Sequence, residues 1–165
     1  MKKINQNGQS LVEALIALVV ATVVISAMAV AAITAVNNAD FSKYQNLATQ
    51  YAQQGMDLLR HKSQVNWTSL NDDAKDGKLY CLAQGDVDLG GSQPDCSFPN
   101  IMDHGKNFFV RKVELIRSTY PCTGESVLAT VTVSWTDGKC RTASDTPNYC
   151  HNVILNSCFA NIDAE

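Results

Sequence analysis

Four kinds of residue in this chain could do chemistry: a lone acid, six cysteines, three histidines and a set of aspartates. Glu13 is the only ionisable residue between Leu11 and Val36. A carboxylate in hydrocarbon costs about 2.5–3.5 kcal/mol on insertion scales, so this position calls for a cationic partner. Cys81, Cys96, Cys122, Cys140, Cys150 and Cys158 all follow that run, and none forms a CxxC pair. Their even number suggests disulfides in an oxidising compartment, and their spacing fits neither zinc ribbons nor thioredoxin-like motifs. His61, His104 and His151 are isolated. Asp86-Val87-Asp88-Leu89-Gly90 offers closely spaced oxygens, which makes Asp86 and Asp88 calcium candidates. The stretch lacks the full calcium-loop pattern and its closing glutamate, so a solvated acidic loop is the better reading. No nucleophile elbow, HExxH, P-loop or paired-carboxylate site occurs. Neither a cofactor nor an enzymatic activity is expected.

Positioning these residues requires two kinds of structure. Ala14 to Val36 carries no charge over about 23 positions, roughly 35 Å of helix and enough to cross a bilayer core. Thr22, Ser26 and Thr34, its polar residues, are small enough to bond back to their own helix. Lys2 and Lys3 precede the run, which places the N-terminus in the cytoplasm and the cysteines outside. A secretory signal would share those lysines, but the apolar run exceeds the usual length and an acid sits at its head. Helical patterning also continues beyond it. Phe41, Tyr44, Leu47, Ala48, Tyr51, Ala52, Leu58 and Leu59 recur at three- and four-residue steps, with polar residues between them. One helix is expected from about Ser10 to Lys62, with Gly55 as a local weak point. The chain has a formal charge of −3 and no basic patch, so nucleic-acid binding has no electrostatic support.

A short lysine-containing leader ending in Gly8, followed by Gln9-Ser10-Leu11-Val12-Glu13 and the apolar helix, resembles the N-terminus of type IV pilins and type II secretion pseudopilins. The resemblance covers residues 2 to about 60. It implies cleavage by a prepilin peptidase between Gly8 and Gln9 and N-methylation of Gln9. It also implies that Glu13, fifth in the mature chain, serves subunit assembly by pairing with the terminal amine of an adjacent subunit. Gln9 departs from the phenylalanine most common at the first mature position. Val30 stands where major pilins often carry proline, and Thr22 where they often carry glycine, which fits a minor subunit better than a bulk shaft subunit. Some pseudopilins bind calcium, which bears on Asp86 and Asp88.

Beyond Gln64 the chain is loop-rich, with turn signals at Asn71-Asp72-Asp73, Asp76-Gly77, Gly90-Gly91, Pro94 and Pro99. Lys78 to Ala83 is a short strand candidate. Asn107 to Ser118 reads as a strand with Phe109, Val113 and Leu115 set against Arg111, Lys112, Glu114 and Arg117. Val127 to Thr136 alternates most clearly, with Val127, Ala129, Val131, Val133 and Trp135 on one side. Asp137-Gly138 marks a turn, and Tyr149 to Phe159 is the last strand. This C-terminal part resembles PilV-type minor pilins and related minor pseudopilins. Trp135 is expected in the core where sheet meets helix. Six cysteines allow fifteen pairings. If Trp135 lies opposite Cys150, Val127 lies opposite Cys158. Cys140–Cys150 then closes the hairpin loop, Cys122–Cys158 the open end, and Cys81–Cys96 the remaining loop.

The expected fold is α+β and type IV pilin-like: a long N-terminal helix packed on a small antiparallel sheet of three or four strands, stapled by disulfides. Residues 1–8 form a leader, 9–36 the transmembrane and assembly half of the helix, 37–62 its amphipathic half, and 63–165 an extracytoplasmic β-rich domain. The expected function is a non-catalytic minor pilin or pseudopilin in a pilus-like or type II secretion filament, within a tip or priming complex. Its partners are then other pilins or pseudopilins, the prepilin peptidase, an inner-membrane assembly platform and the membrane itself. It would first be a single-pass protein of the inner membrane and then part of the filament. The rival is a membrane-anchored, disulfide-rich binding module that does not polymerise.

Overall fold

The computed structural model describes residues 9–75, 77–91, 96, 100–103, 106–122, 124–136, 140 and 149–161, with backbone alone for 9, 10, 102, 103 and 106–108. The leader with Gly8, the residues Asp76, Pro94, Asp95, Pro99 and His104, and the Asp137-Gly138 turn lie outside the described residues. The chain divides into two compact units, Met1–Ser42 and Lys43–Glu165. The fold is α+β and type IV pilin-like.

Helix α1 spans Gln9–Val65 and is continuous through Thr22 and Val30. In its first unit, every described side chain is exposed. The hydroxyls of Thr22, Ser26 and Thr34 donate to the carbonyls of Val19, Thr22 and Val30 at 2.8, 2.7 and 2.9 Å. These polar groups are thereby satisfied within the helix.

In the second unit α1 is one-sided. Ala48, Tyr51, Ala52, Met56 and Leu59 are buried, with Tyr44, Leu47 and Leu58 packed beside them. These positions recur at helical steps, so one face of α1 closes over the sheet. Phe41, placed on the same stripe by its spacing, lies in the first unit and is 39% exposed. Helix α2, Trp67–Asp73, follows at once. Its N-cap Asn66 accepts a hydrogen bond from the Ser69 amide at 3.0 Å, and Leu70 is buried. Its seven residues are too few for a helical period to show, and the Asn71-Asp72-Asp73 turn signal falls in its last turn.

The strands are β1 (Lys78–Cys81), β2 (Ile101–Asp103), β3 (Lys106–Arg117), β4 (Ser126–Trp135) and β5 (His151–Ala160). Every pairing is antiparallel and the order is β1-β3-β4-β5, with β2 also paired to β3. Both β1 and β2 lie on one side of β3, against its far and near ends. Asn100 seals the seam between them: its side-chain amide donates to the Arg111 carbonyl at 2.8 Å, and its side-chain oxygen accepts from the Arg111 amide at 2.7 Å. A side chain here replaces a missing strand residue.

Two sequence expectations are corrected. Arg111, grouped with the outward polar residues of β3, is 3% exposed and lies on the inward face with Phe109, Val113 and Leu115. Strict alternation requires this, because all four positions are odd. The register of β5 also differs by one residue: Trp135 faces His151, and Leu128 faces Cys158. A one-residue slip exchanges the two faces of a strand. The expected register would have turned Asn152, Ile154 and Asn156 inward. The observed one instead turns Val153, Leu155 and Phe159 toward the core, and burial of the more apolar set decides it.

Gly55 marks a close approach of α1 to the sheet. A Cβ there would stand 3.1 Å from Val131 Cγ1 and 3.3 Å from Arg111 Cδ, both on buried side chains. Glycine therefore serves helix seating despite its poor helix propensity. Gly55→Leu is expected to lower stability by about 1–3 kcal/mol through overpacking. Urea unfolding followed by tryptophan fluorescence measures this, and an unchanged midpoint would contradict the close approach.

Candidate functional site

Within the first unit, the run from Leu11 to Val36 carries one ionisable residue. Glu13 lies on α1 beside Val12, Ile16 and Ala17, its neighbours along the helix, and it is exposed. Around it Leu11, Leu15, Leu18, Ile25 and Met28 are between 56% and 67% exposed. The described part of α1 is long and apolar enough to cross a membrane. A helix apolar on every side, with no core of its own, is a surface for lipid or for other apolar helices. A carboxylate on that surface is the group a neighbouring cation would satisfy. Gln9 lies at the start of α1, with its backbone alone described.

The second unit is organised by a buried cation. The Arg111 guanidinium donates to three carbonyls: Nε to Leu82 at 3.3 Å, Nη1 to Tyr51 at 3.0 Å and Nη2 to Ala83 at 2.6 Å. It thus joins α1, β3 and the segment leaving β1. Burial holds the guanidinium below its ordinary pKa, while the charge of Asp86 and the nearby Tyr51 act the other way. Asp86 also accepts a hydrogen bond from the Ala83 amide at 2.6 Å, which fixes the loop that Arg111 grips.

Lys62 forms a second junction. Its ammonium, on a side chain only 14% exposed, pairs with Asp73 at the end of α2, at 2.9 Å, and with Asp88 in the loop after β1. Burial on its own lowers the Lys62 pKa. Hydrogen bonds to Asp88 and Asp73, together with their charges, outweigh that effect and raise it. The hydrogen bond from Lys62 holds Asp88 below its ordinary value, helped by one from the Leu89 amide. Tyr80 donates to the Asp73 carbonyl at 2.9 Å, and its pKa is pushed up to about 12, chiefly by burial.

The calcium candidates therefore have protein partners: Asp86 holds a backbone amide and Asp88 holds Lys62. The cysteines are brought together as Cys81–Cys96, Cys122–Cys158 and Cys140–Cys150, with Cα separations of 5.5, 5.6 and 5.7 Å. Trp135 is 2% exposed. It sits in a row in which Tyr51 packs on Phe109, Phe109 on Trp135 and Trp135 on His151, with ring centroids 5.2, 6.2 and 5.4 Å apart. This is the core position expected where sheet meets helix. His61 is exposed. Sequence reasoning missed Arg111, Lys62, Asn100 and Gly55 as organising residues. Parity along β3 was a sufficient signal for Arg111. The others depend on contacts between segments distant in sequence.

An α+β, disulfide-bridged, pilin-like fold that follows an apolar helix of membrane-spanning length defines the class. Residues 3–29 match the family described as the prokaryotic N-terminal methylation motif, a stretch that contains Gly8, Gln9 and Glu13. No curated protein and no solved structure matches the chain.

Two outcomes are expected. Arg111→Met leaves the three carbonyls without their charged donor and lowers stability by about 2–4 kcal/mol. Arg111→Lys recovers only part of that, because one ammonium cannot reproduce the fork. Chemical denaturation of both variants measures the difference. The Lys62–Asp88 pair gives a pH dependence. Asp88 is depressed, so its contribution is complete above the ordinary carboxylate value of 3.8 and is lost as pH falls through its lower folded value. Lys62 is raised, so its contribution is complete below 10.5 and is lost as pH rises through its higher folded value. Thermal melting across pH checks both limbs: Asp88→Asn flattens the acid limb, and an acid limb identical to the parent's would contradict the pairing.

Proposed function

We propose that this chain is a non-catalytic pilin or pseudopilin subunit. It is cut between Gly8 and Gln9 by a prepilin peptidase, methylated on the new Gln9 amine, and assembled through α1 into a pilus-like or type II secretion filament. The match of residues 3–29 to the N-terminal methylation motif carries this reading, since it falls on a leader followed by an apolar helix that bears a single acid. Before assembly, residues 9–36 hold the protein in the inner membrane, with the leader cytoplasmic and the domain from 63 to 165 outside. Cleavage creates a cation near the membrane face. Helices stacked with an axial offset let Glu13 of one subunit meet the terminal amine of the next. In low dielectric such a pair is strong, and breaking it strands a buried charge.

The uninterrupted helix through Thr22 and Val30 supports a minor subunit, placed in a tip or priming complex and recruited through the assembly platform. A helix with no proline or glycine there resists the local melting that close packing of a shaft would ask of it. The three bridges support residence outside the cytoplasm, where disulfides persist.

Mass spectrometry of the mature protein is expected to show a chain beginning with N-methylated Gln9. In the same cells, Glu13→Val is expected to insert normally while its yield in sheared filaments falls. A working filament that contains the intact leader, or that takes up Glu13→Val as well as the parent, would overturn the proposal.

A further inference from the structure

We propose that the outer edge of β5 is a docking strand, which takes up an extended, uncharged segment of another polypeptide as an additional strand of the sheet. This goes beyond filament assembly through the apolar half of α1 and does not depend on it. Among the described residues β5 has one hydrogen-bonded neighbour, β4. It is ten residues long, HNVILNSCFA, and contains no Asp, Glu, Lys, Arg or Pro. Edge strands are ordinarily blunted by brevity, charge or proline, because an unpaired row of amides and carbonyls is a template for another strand. The opposite side of the sheet follows that rule. It consists of β1, four residues beginning with Lys78, and β2, three residues ending in Asp103.

Burial agrees with an incomplete sheet. Along β4 the inward residues Val127, Ala129, Val131 and Val133 are 0% exposed, whereas on β5 the inward Val153 and Leu155 are only partly buried. Beside the Ser157–Ala160 end of β5, a groove of about 280 Å³ opens toward Arg60, Ser63 and Gln64 of α1. A strand added to β5 would place its inward side chains beneath that side of α1. Arg60, the groove's cation, is already paired with Asp57 at 2.8 Å. Among the described residues the groove offers no unmatched charge, so a charged occupant would lose solvation without compensation. Its complement is a neutral segment, apolar at every second position.

Two of the three bridges hold this strand. Cys150 precedes its first residue and is tied to Cys140, and Cys158 lies within it, tied to Cys122. A clamped edge needs little ordering before it pairs, which favours binding.

The test uses the full chain in detergent micelles with its bridges intact. The probe is a fluorescein-labelled synthetic peptide of the β4 sequence, Ser126–Trp135, a neutral alternating strand that β5 already matches on its other side. Saturable binding by fluorescence anisotropy and slower amide exchange within residues 151–160 are expected. Ile154→Lys and Asn156→Lys, both at exposed positions, should each weaken binding about fivefold or more while melting remains as in the parent. The proposal is overturned if the peptide does not bind, if protection arises outside residues 151–160, or if both folded variants bind as the parent does.

Discussion

The Arg111 guanidinium is the constraint on which the globular unit depends. It is buried beneath α1, and its donors reach carbonyls of the helix and of the segment that follows β1. A buried cation is tolerated only where its donors are taken up, so its presence dictates much around it. The helix must approach closely at Gly55, the chain leaving β1 must turn its carbonyls inward, and Asn100 must bridge the backbone of β3 at the same residue. Apolar packing of Tyr51, Phe109, Val131 and Trp135 then surrounds a polar centre that permits one arrangement of helix, sheet and loop. Apolar contacts are non-directional, and a fork of hydrogen bonds supplies the direction they lack.

Lys62 repeats the device closer to the surface. One ammonium draws together the end of α2 and the loop after β1 through Asp73 and Asp88. The Cys81–Cys96 bridge closes that same loop. The loop-rich middle of the chain is thus held by two cations and a disulfide, and not by strands of any length. A small domain with much irregular structure gains order in this way: the cations join the folded segments, and the disulfide restricts the unfolded chain as well.

The two units solve different problems with one helix type. Between Lys43 and Val65 the helix is polar on one side and satisfied by its own sheet. Between Leu11 and Val36 it is apolar on every side and its side chains are exposed. A helix surface that is apolar on every side suits lipid or other apolar helices.

Local pattern in the amino-acid sequence determined the long helix, the apolar span with its single acid, the methylation-type N-terminus and the alternation of β4. Each is written in consecutive residues, where helix and strand periods show directly. Only the tertiary structure decided that the Arg111 fork meets carbonyls of Tyr51, Leu82 and Ala83, that β5 pairs with His151 and not Cys150 opposite Trp135, that Asn100 fills a gap between two short strands, and that Lys62 finds two aspartates. Those outcomes are competitions between distant segments: which face buries more apolar area, and which buried donor finds an acceptor. A linear pattern does not carry that information, because the competing partners meet only once the chain has folded.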